Sequence, residues 1–159
     1  MRRLKVFILL LFCLTAANSQ QHERIIRFHA DITIDTDGRI EIAEHIKVYA
    51  AGIEIKRGIV REIPLYRRDN KGKRVRMDYK VLSVKCNGTN TQYRTENENR
   101  NLVIYIGDAN VLLTKGEHDY TVVYESYGHI GFFDDYDELY WNVTGAKELS
   151  IYKHIILVQ

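Results

Sequence analysis

One proline, Pro64, and two cysteines, Cys13 and Cys86, are all that 159 residues offer to a loop-rich or disulfide-stapled scaffold. Excess charge is missing as well. Lys and Arg number 23 against 21 Asp and Glu, a formal net charge of +2, too small to argue for a nucleic-acid partner. The apolar run Val6 to Leu14 falls short of the roughly 20 residues that a permanent membrane helix needs. No repeat, low-complexity tail or coiled-coil heptad is present, and no stretch after residue 20 holds a long, clean helical period. What is present is an ordinary folding composition, 45% hydrophobic and 28% charged, well away from the disordered mix. Its 11 Tyr, 5 Phe and 1 Trp favour extended pleated structure.

The amino terminus is a targeting signal. Arg2, Arg3 and Lys5 precede the apolar run, and Thr15-Ala-Ala-Asn-Ser19 supplies the small residues of a cleavage site, with Ala17 three positions before a cut after Ser19. Phe12 stands where a small residue is expected before a lipidated cysteine, so Cys13 does not read as a lipoprotein anchor. Removing residues 1–19 leaves 20 basic against 21 acidic residues. It also leaves Cys86 alone, so no intrachain disulfide can form in the mature chain, and a small packed thiol near a strand end is the simplest role for it.

Alternation predicts an all-β, antiparallel, sandwich-like domain over residues 20–146. Ile26, Phe28, Ala30, Ile32 and Ile34 mark one strand, and Ile40, Ile42, Ile46 and Val48 a second, joined at Thr36-Asp37-Gly38 as a hairpin. Further strands are expected at Met77 to Cys86, Thr91 to Thr95, Leu102 to Ile106 and Tyr120 to Tyr127, with polar separators at Glu96 to Asn101 and Lys115 to Glu117, and a solvated loop from Arg67 to Arg76. Residues 147–159 have room for one more β-branched strand, read as a possible extra strand or truncated continuation.

Two charges break the alternation. Glu44 falls on the apolar face of the second strand, and Arg61 lies between Ile59 and Ile63 on another. A buried charge needs a partner, so the two are expected to be near neighbours. Gly58 marks a backbone bend or close approach, and Pro64 an edge or strand exit. From Phe132 to Trp141 four carboxylates mix with five aromatics, including Asp137, Glu138, Tyr140 and Trp141. Paired carboxylates can hydrolyse glycosides and oxygen ligands can hold calcium, but the spacing lacks a calcium-loop pattern. An acidic turn leading into a strand that buries Leu139 or Trp141 is the plainer account. The six histidines show no zinc spacing, and no nucleophile elbow or phosphate-cradling loop exists, so no catalytic residue, metal or cofactor is expected. Asn87-Gly-Thr and Asn142-Val-Thr are glycosylation sequons in form only.

Three segments together carry a family likeness: Glu23-Arg-Ile-Ile with Asp31-Ile, Asp37-Gly38 and Glu44; Arg57-Gly-Ile-Val-Arg-Glu-Ile-Pro64; and Asp137-Glu-Leu-Tyr-Trp-Asn-Val-Thr-Gly145. In order and spacing the chain resembles the domain of unknown function 2207 family of bacterial predicted membrane proteins, over roughly residues 22 to 146. The resemblance implies an exported, mostly β amino-terminal region followed by membrane helices, with no established reaction, cofactor or catalytic residue. Lys147-Glu148 departs from the aromatic expected after Gly145.

Two function classes are compatible with this. The first is a noncatalytic exported ectodomain in the periplasm or cell envelope, structural or binding an unknown protein or envelope component. The second is a small secreted carbohydrate-binding module or glycoside hydrolase built on residues 134–141. The end of the chain reads as a truncated form of a longer membrane-anchored architecture, without a membrane span after signal cleavage and able to self-associate through residues 151–158.

Overall fold

The computed structural model describes residues 22–69 and 71–141. The signal segment expected in 1–19, the strand expected in 147–159 and the self-association expected through 151–158 lie outside the described residues. Among the described residues twelve strands follow one another: β1 (Arg24–Ile34), β2 (Ile40–Ala50), β3 (Gly58–Pro64), β4 (Tyr66–Arg68), β5 (Arg74–Arg76), β6 (Asp78–Cys86), β7 (Thr89–Asn90), β8 (Tyr93–Glu98), β9 (Asn101–Gly107), β10 (Gly116–Tyr127), β11 (Ile130–Phe132) and β12 (Asp137–Leu139). All pairings are antiparallel. One sheet runs β1-β2-β10-β6-β7 and a second β3-β9-β8, with β4-β5 and β11-β12 as separate hairpins. The domain is all-β.

The two larger sheets share one core. Ile40, Ile42, Ile46 and Val48 of β2 and Tyr120, Val122 and Tyr124 of β10 meet Ile63, Leu102, Ile104 and Ile106 of the smaller sheet. On β2 and β10 every second side chain is buried, the period-two signature of strands with one covered face. The first hairpin turns where Asp37-Gly38 predicts. Gly38 adopts φ +82°, and its N–H donates to the Asp35 carbonyl at 3.0 Å.

Bulges correct the simple alternation. The β1–β2 register shifts between Ile25 and Arg27, so Ile25 sits opposite inward-facing Val48 while Ile26 is left unpaired and exposed. A second shift in the β6–β10 ladder pairs Val84 with Val122 and Val81 with Tyr124, leaving Leu82 exposed. The stretch from Arg67 to Arg76 is a hairpin and not a loop. β4 and β5 pair Tyr66 with Arg76 across a turn in which the Asp69 carboxylate accepts from the Lys71 and Lys73 amides, and Arg74 lies over the Tyr66 ring. The expected separator from Glu96 is likewise strand as far as Glu98. The reversal comes at Asn99 and Arg100, both at positive φ. Cys86 ends β6 as a half-buried free thiol, and burial raises its pKa, which disfavours the reactive thiolate.

Gly58 and Gly107 face each other across β3 and β9. A Cβ on Gly58 would lie 1.7 Å from the Ile106 carbonyl oxygen, and one on Gly107 would lie 2.0 Å from that of Arg57. The close approach requires glycine on both strands. Pro64 is the last residue of β3, an edge strand, where its missing N–H removes no ladder bond.

Candidate functional site

The charges that break the alternation meet between the layers. Glu44 on β2 is directly opposite Ala30 on one side and Val122 on the other, so its side chain points into the core. Its carboxylate is wholly buried (0% exposed). Arg61, from β3 of the opposing sheet, grips it with two bonds: Nε donates to Oε2 at 2.6 Å and Nη2 to Oε1 at 2.7 Å. The Tyr124 hydroxyl donates to Oε1 at 2.7 Å, and Arg61 Nη1 donates to the Glu62 carbonyl at 2.8 Å. Burial alone would lower the Arg61 pKa, but the adjacent carboxylate overrides it and raises the pKa. Burial first, and Glu44 second, push the Tyr124 phenol well above its ordinary range, so it stays a donor. With both carboxylate oxygens occupied by fork-like donors, the knot has no open position for a substrate. It bolts one sheet to the other.

A second polar cluster lies beneath the arm formed by β11 and β12. Pro64, Tyr66, Arg67, Tyr79, Tyr140 and Trp141 line a cavity of about 470 Å³. His129 holds the arm down. Its Nδ1 is 3.0 Å from the Tyr140 carbonyl oxygen, the Tyr140 N–H donates back to the His129 carbonyl at 2.8 Å, and Nε2 is 2.9 Å from Ser126 Oγ. Burial lowers the imidazole pKa, the backbone bond to Tyr140 opposes this, and the charge of Arg67 lowers it further, so the net shift is downward. The neutral ring donates from Nδ1 to the Tyr140 carbonyl, and the single Ser126 hydroxyl proton goes either to Nε2 or to the Asp78 carbonyl 2.7 Å away. The Arg67 guanidinium donates through Nε to the Gly128 carbonyl at 2.6 Å and lies 4.1 Å from the Tyr140 ring centroid. Its Nη1, like the indole Nε1 of Trp141, is shut off from water and has no hydrogen-bond partner among the described residues. A buried donor without an acceptor costs about 1–3 kcal/mol, more when charged.

The sequence candidates therefore divide. Glu44 and Arg61 are joined in the knot, with Gly58 at the start of the strand that carries Arg61. Pro64, Tyr140 and Trp141 converge on the cavity. Asp137 and Glu138 lie exposed on β12 outside it, and the Glu138 carboxylate accepts the Tyr140 hydroxyl at 2.6 Å. The acidic stretch is a turn into a short strand: the Phe133 N–H donates to the Tyr136 carbonyl at 3.0 Å, and Leu139 and Trp141 pack, half-buried, against the core. No three His, Cys, Asp or Glu side chains among the described residues are placed to hold a metal ion.

Sequence reasoning missed Glu23, Arg67 and His129 as positioning residues. Glu23 accepts four backbone N–H bonds from the β2–β3 connection: Ala51 and Ile53 at 3.0 and 2.9 Å on Oε1, Glu54 and Ile55 at 2.7 and 2.9 Å on Oε2. Partial burial works against the charge, but the four amides pull the carboxyl pKa down to about 2. Only the place of Glu23 ahead of the first strand hinted at it. His129 follows Gly128 as an isolated histidine, and no local pattern reveals the partner it finds at Tyr140.

A family model described as "Predicted membrane protein (DUF2207) N-terminal domain" matches residues 24–159. The uncharacterized protein YciQ of Escherichia coli (strain K12) is 28% identical over 132 residues, which cover 82% of this chain and 21% of that protein. The chain thus spans about a fifth of the length of this curated relative. No solved structure matches. No helix among the described residues is long and apolar enough to cross a membrane.

Proposed function

The chain belongs to the predicted membrane protein (DUF2207) family, and on that premise we propose that it is the exported, noncatalytic ectodomain of a membrane-anchored protein, a β-sandwich that binds a component of the cell envelope. The observation that carries this reading is the make-up of the cavity under the arm. Among the described residues it gathers four aromatic rings and one cation but no carboxylate, which suits recognition better than acid–base chemistry.

Two further features support it. The Glu44 carboxylate is fully engaged, and Asp137 and Glu138 face solvent away from the cavity. Ser126 and His129 approach as a nucleophile and base do, 2.9 Å apart. Ser126 is nevertheless wholly buried, and its hydroxyl also lies 2.7 Å from the Asp78 carbonyl. No substrate reaches it in this geometry.

The test is a single expression experiment on the full chain followed by incubation with envelope glycans. The expected product begins near Gln20, appears outside the cytoplasm and leaves glycans intact. Recovery of the intact Met1 form in the cytoplasm overturns the export, and glycan cleavage abolished by Asp137→Asn or Glu138→Gln overturns the noncatalytic role.

A further inference from the structure

The cavity beneath the β11–β12 arm has the size of a small-molecule site, about 470 Å³ in the ~300–1,000 Å³ range of such sites. Tyr66, Tyr79, Tyr140 and Trp141 give it flat aromatic walls. Two of its lining residues, Arg67 and Trp141, each carry a buried donor, Nη1 and Nε1, without an acceptor among the described residues. An anionic oxygen is the complement to a guanidinium N–H and to an indole N–H. His129 does not compete for it, since both ring nitrogens already have partners in Ser126 and the Tyr140 carbonyl.

We infer that this cavity is a binding site for a small amphipathic monocarboxylate, its apolar body between the aromatic rings and its carboxylate on Arg67 and the Trp141 indole N–H. The inference deepens the binding role proposed above and rests on it. The charge count selects a carboxylate over a phosphate dianion: among the described residues Arg67 is the one cation lining the cavity and no anion lines it, so a monoanion is neutralised and a dianion is left with an uncompensated charge in an apolar space. Entry requires the Tyr140 ring, which covers the guanidinium at 4.1 Å, to swing aside. Its hydroxyl is restrained by an exposed bond to Glu138, a contact that water readily replaces.

Trp141 is the sole tryptophan among 11 tyrosines, so fluorescence excited at the red edge, where only the indole absorbs, reports on this site alone. The exported, processed protein is titrated with 3-phenylpropionate, with the isosteric neutral 3-phenylpropanamide, and with inorganic phosphate, for the natural protein and for Arg67→Gln, whose fold is checked by circular dichroism. The expected result is a saturable emission change with the acid, at least about tenfold weaker binding of the amide, no response to phosphate, and loss of the acid's advantage in Arg67→Gln. Equal affinity for acid and amide, saturation by phosphate, absence of saturation by the acid at millimolar concentration, or an unchanged advantage in Arg67→Gln overturns the assignment. Should Arg67→Gln fail to fold, the acid-to-amide ratio of the natural protein decides alone. The export and the noncatalytic role are read from the amino terminus, the cell fraction and the glycan assay, so failure of this inference is distinguishable from failure of that proposal.

Discussion

Arg61 and Arg67 leave the same stretch of chain and end in opposite situations. Arg61, on β3, reaches across the core to both oxygens of a carboxylate, one of which also accepts from Tyr124, and three of its nitrogens have acceptors. Arg67, on β4, reaches the rim of the sandwich, where one nitrogen bonds a carbonyl, the plate stacks on Tyr140 and another nitrogen has no acceptor among the described residues. The difference separates a structural charge from a receptive one. A complete buried network holds two layers in one arrangement, whereas an incomplete one leaves donors for something else to meet.

The sharpest break of this comparison is truncation of the knot. Glu44→Ala strands a buried guanidinium and Arg61→Ala strands a buried carboxylate, and each is expected to lose about 3–5 kcal/mol of unfolding free energy, measured by urea denaturation. Replacing all three partners with apolar groups, as in Glu44→Leu with Arg61→Met and Tyr124→Phe, is expected to recover most of that loss, because no polar atom of the trio is left stranded. Midpoints that barely move for the single variants would remove the knot from the list of structural bolts.

Arg67→Met probes the other side and should differ in size. It loses the Nε bond to Gly128 and the stacking on Tyr140, but it also removes an unpaired buried N–H, so the two effects largely offset and a net change under about 1 kcal/mol is expected in the same urea titration. A loss as large as that of Arg61→Ala would mean that Arg67 is as fully committed as Arg61, and the contrast would collapse.

The knot was legible in the sequence and the cavity was not, for a physical reason. Glu44 and Arg61 each interrupt an apolar period-two pattern, so their burial and mutual need follow from strand geometry. Arg67, by contrast, sits in a polar, basic stretch that reads as solvated. Its burial comes from Tyr140, distant in the sequence and brought over it by the arm. Gly58 and Pro64 announced their backbone roles, and the first hairpin announced its turn. The bulges at Ile26 and Leu82 stayed hidden, because one extra residue changes which face a side chain takes without changing the composition of the strand. The acidic character of Asp134 to Glu138 drew attention to a turn, while the chemistry of that region lies in its aromatics and in His129.

His129 links the arm to the core through a group whose ionisation burial opposes, and this gives a pH signature. The folded-state pKa is lowered from the ordinary value near 6.5, so the unfolded chain binds the proton more readily. Stability tied to this group is fully present above about pH 6.5 and falls as the pH drops below it toward the folded-state pKa. Thermal melts of the natural protein between pH 7.5 and 5.5 should fall more than those of His129→Gln, which keeps a polar side chain without the titration. Parallel pH profiles in the two proteins would show that the ring titrates as it does in water and that the arm is not closed over it.

The smallest expected effect concerns Glu23, and it is local. Four amides of the β2–β3 connection converge on this carboxylate, and its pKa is held near 2, so the stability it contributes is fully present above the unfolded value of about 4.5 and is lost as the pH falls toward 2. In Glu23→Gln only one oxygen remains and the charge is gone, so two of the four amides lose their acceptor and the others meet a weaker one. Hydrogen exchange at neutral pH should then accelerate at Ala51, Ile53, Glu54 and Ile55, while core amides such as those of Ile42 and Val122 keep their rates. Accelerated exchange throughout the core would mean that Glu23 supports the whole sandwich, making it a second bolt alongside the knot. Unchanged exchange at all four positions would mean that the connection holds its shape without the carboxylate. A local response places Glu23 between the two extremes that Arg61 and Arg67 define: a completed polar cluster, like the knot, but one that fixes a single connection at the surface and leaves the joining of the sheets to Glu44 and Arg61.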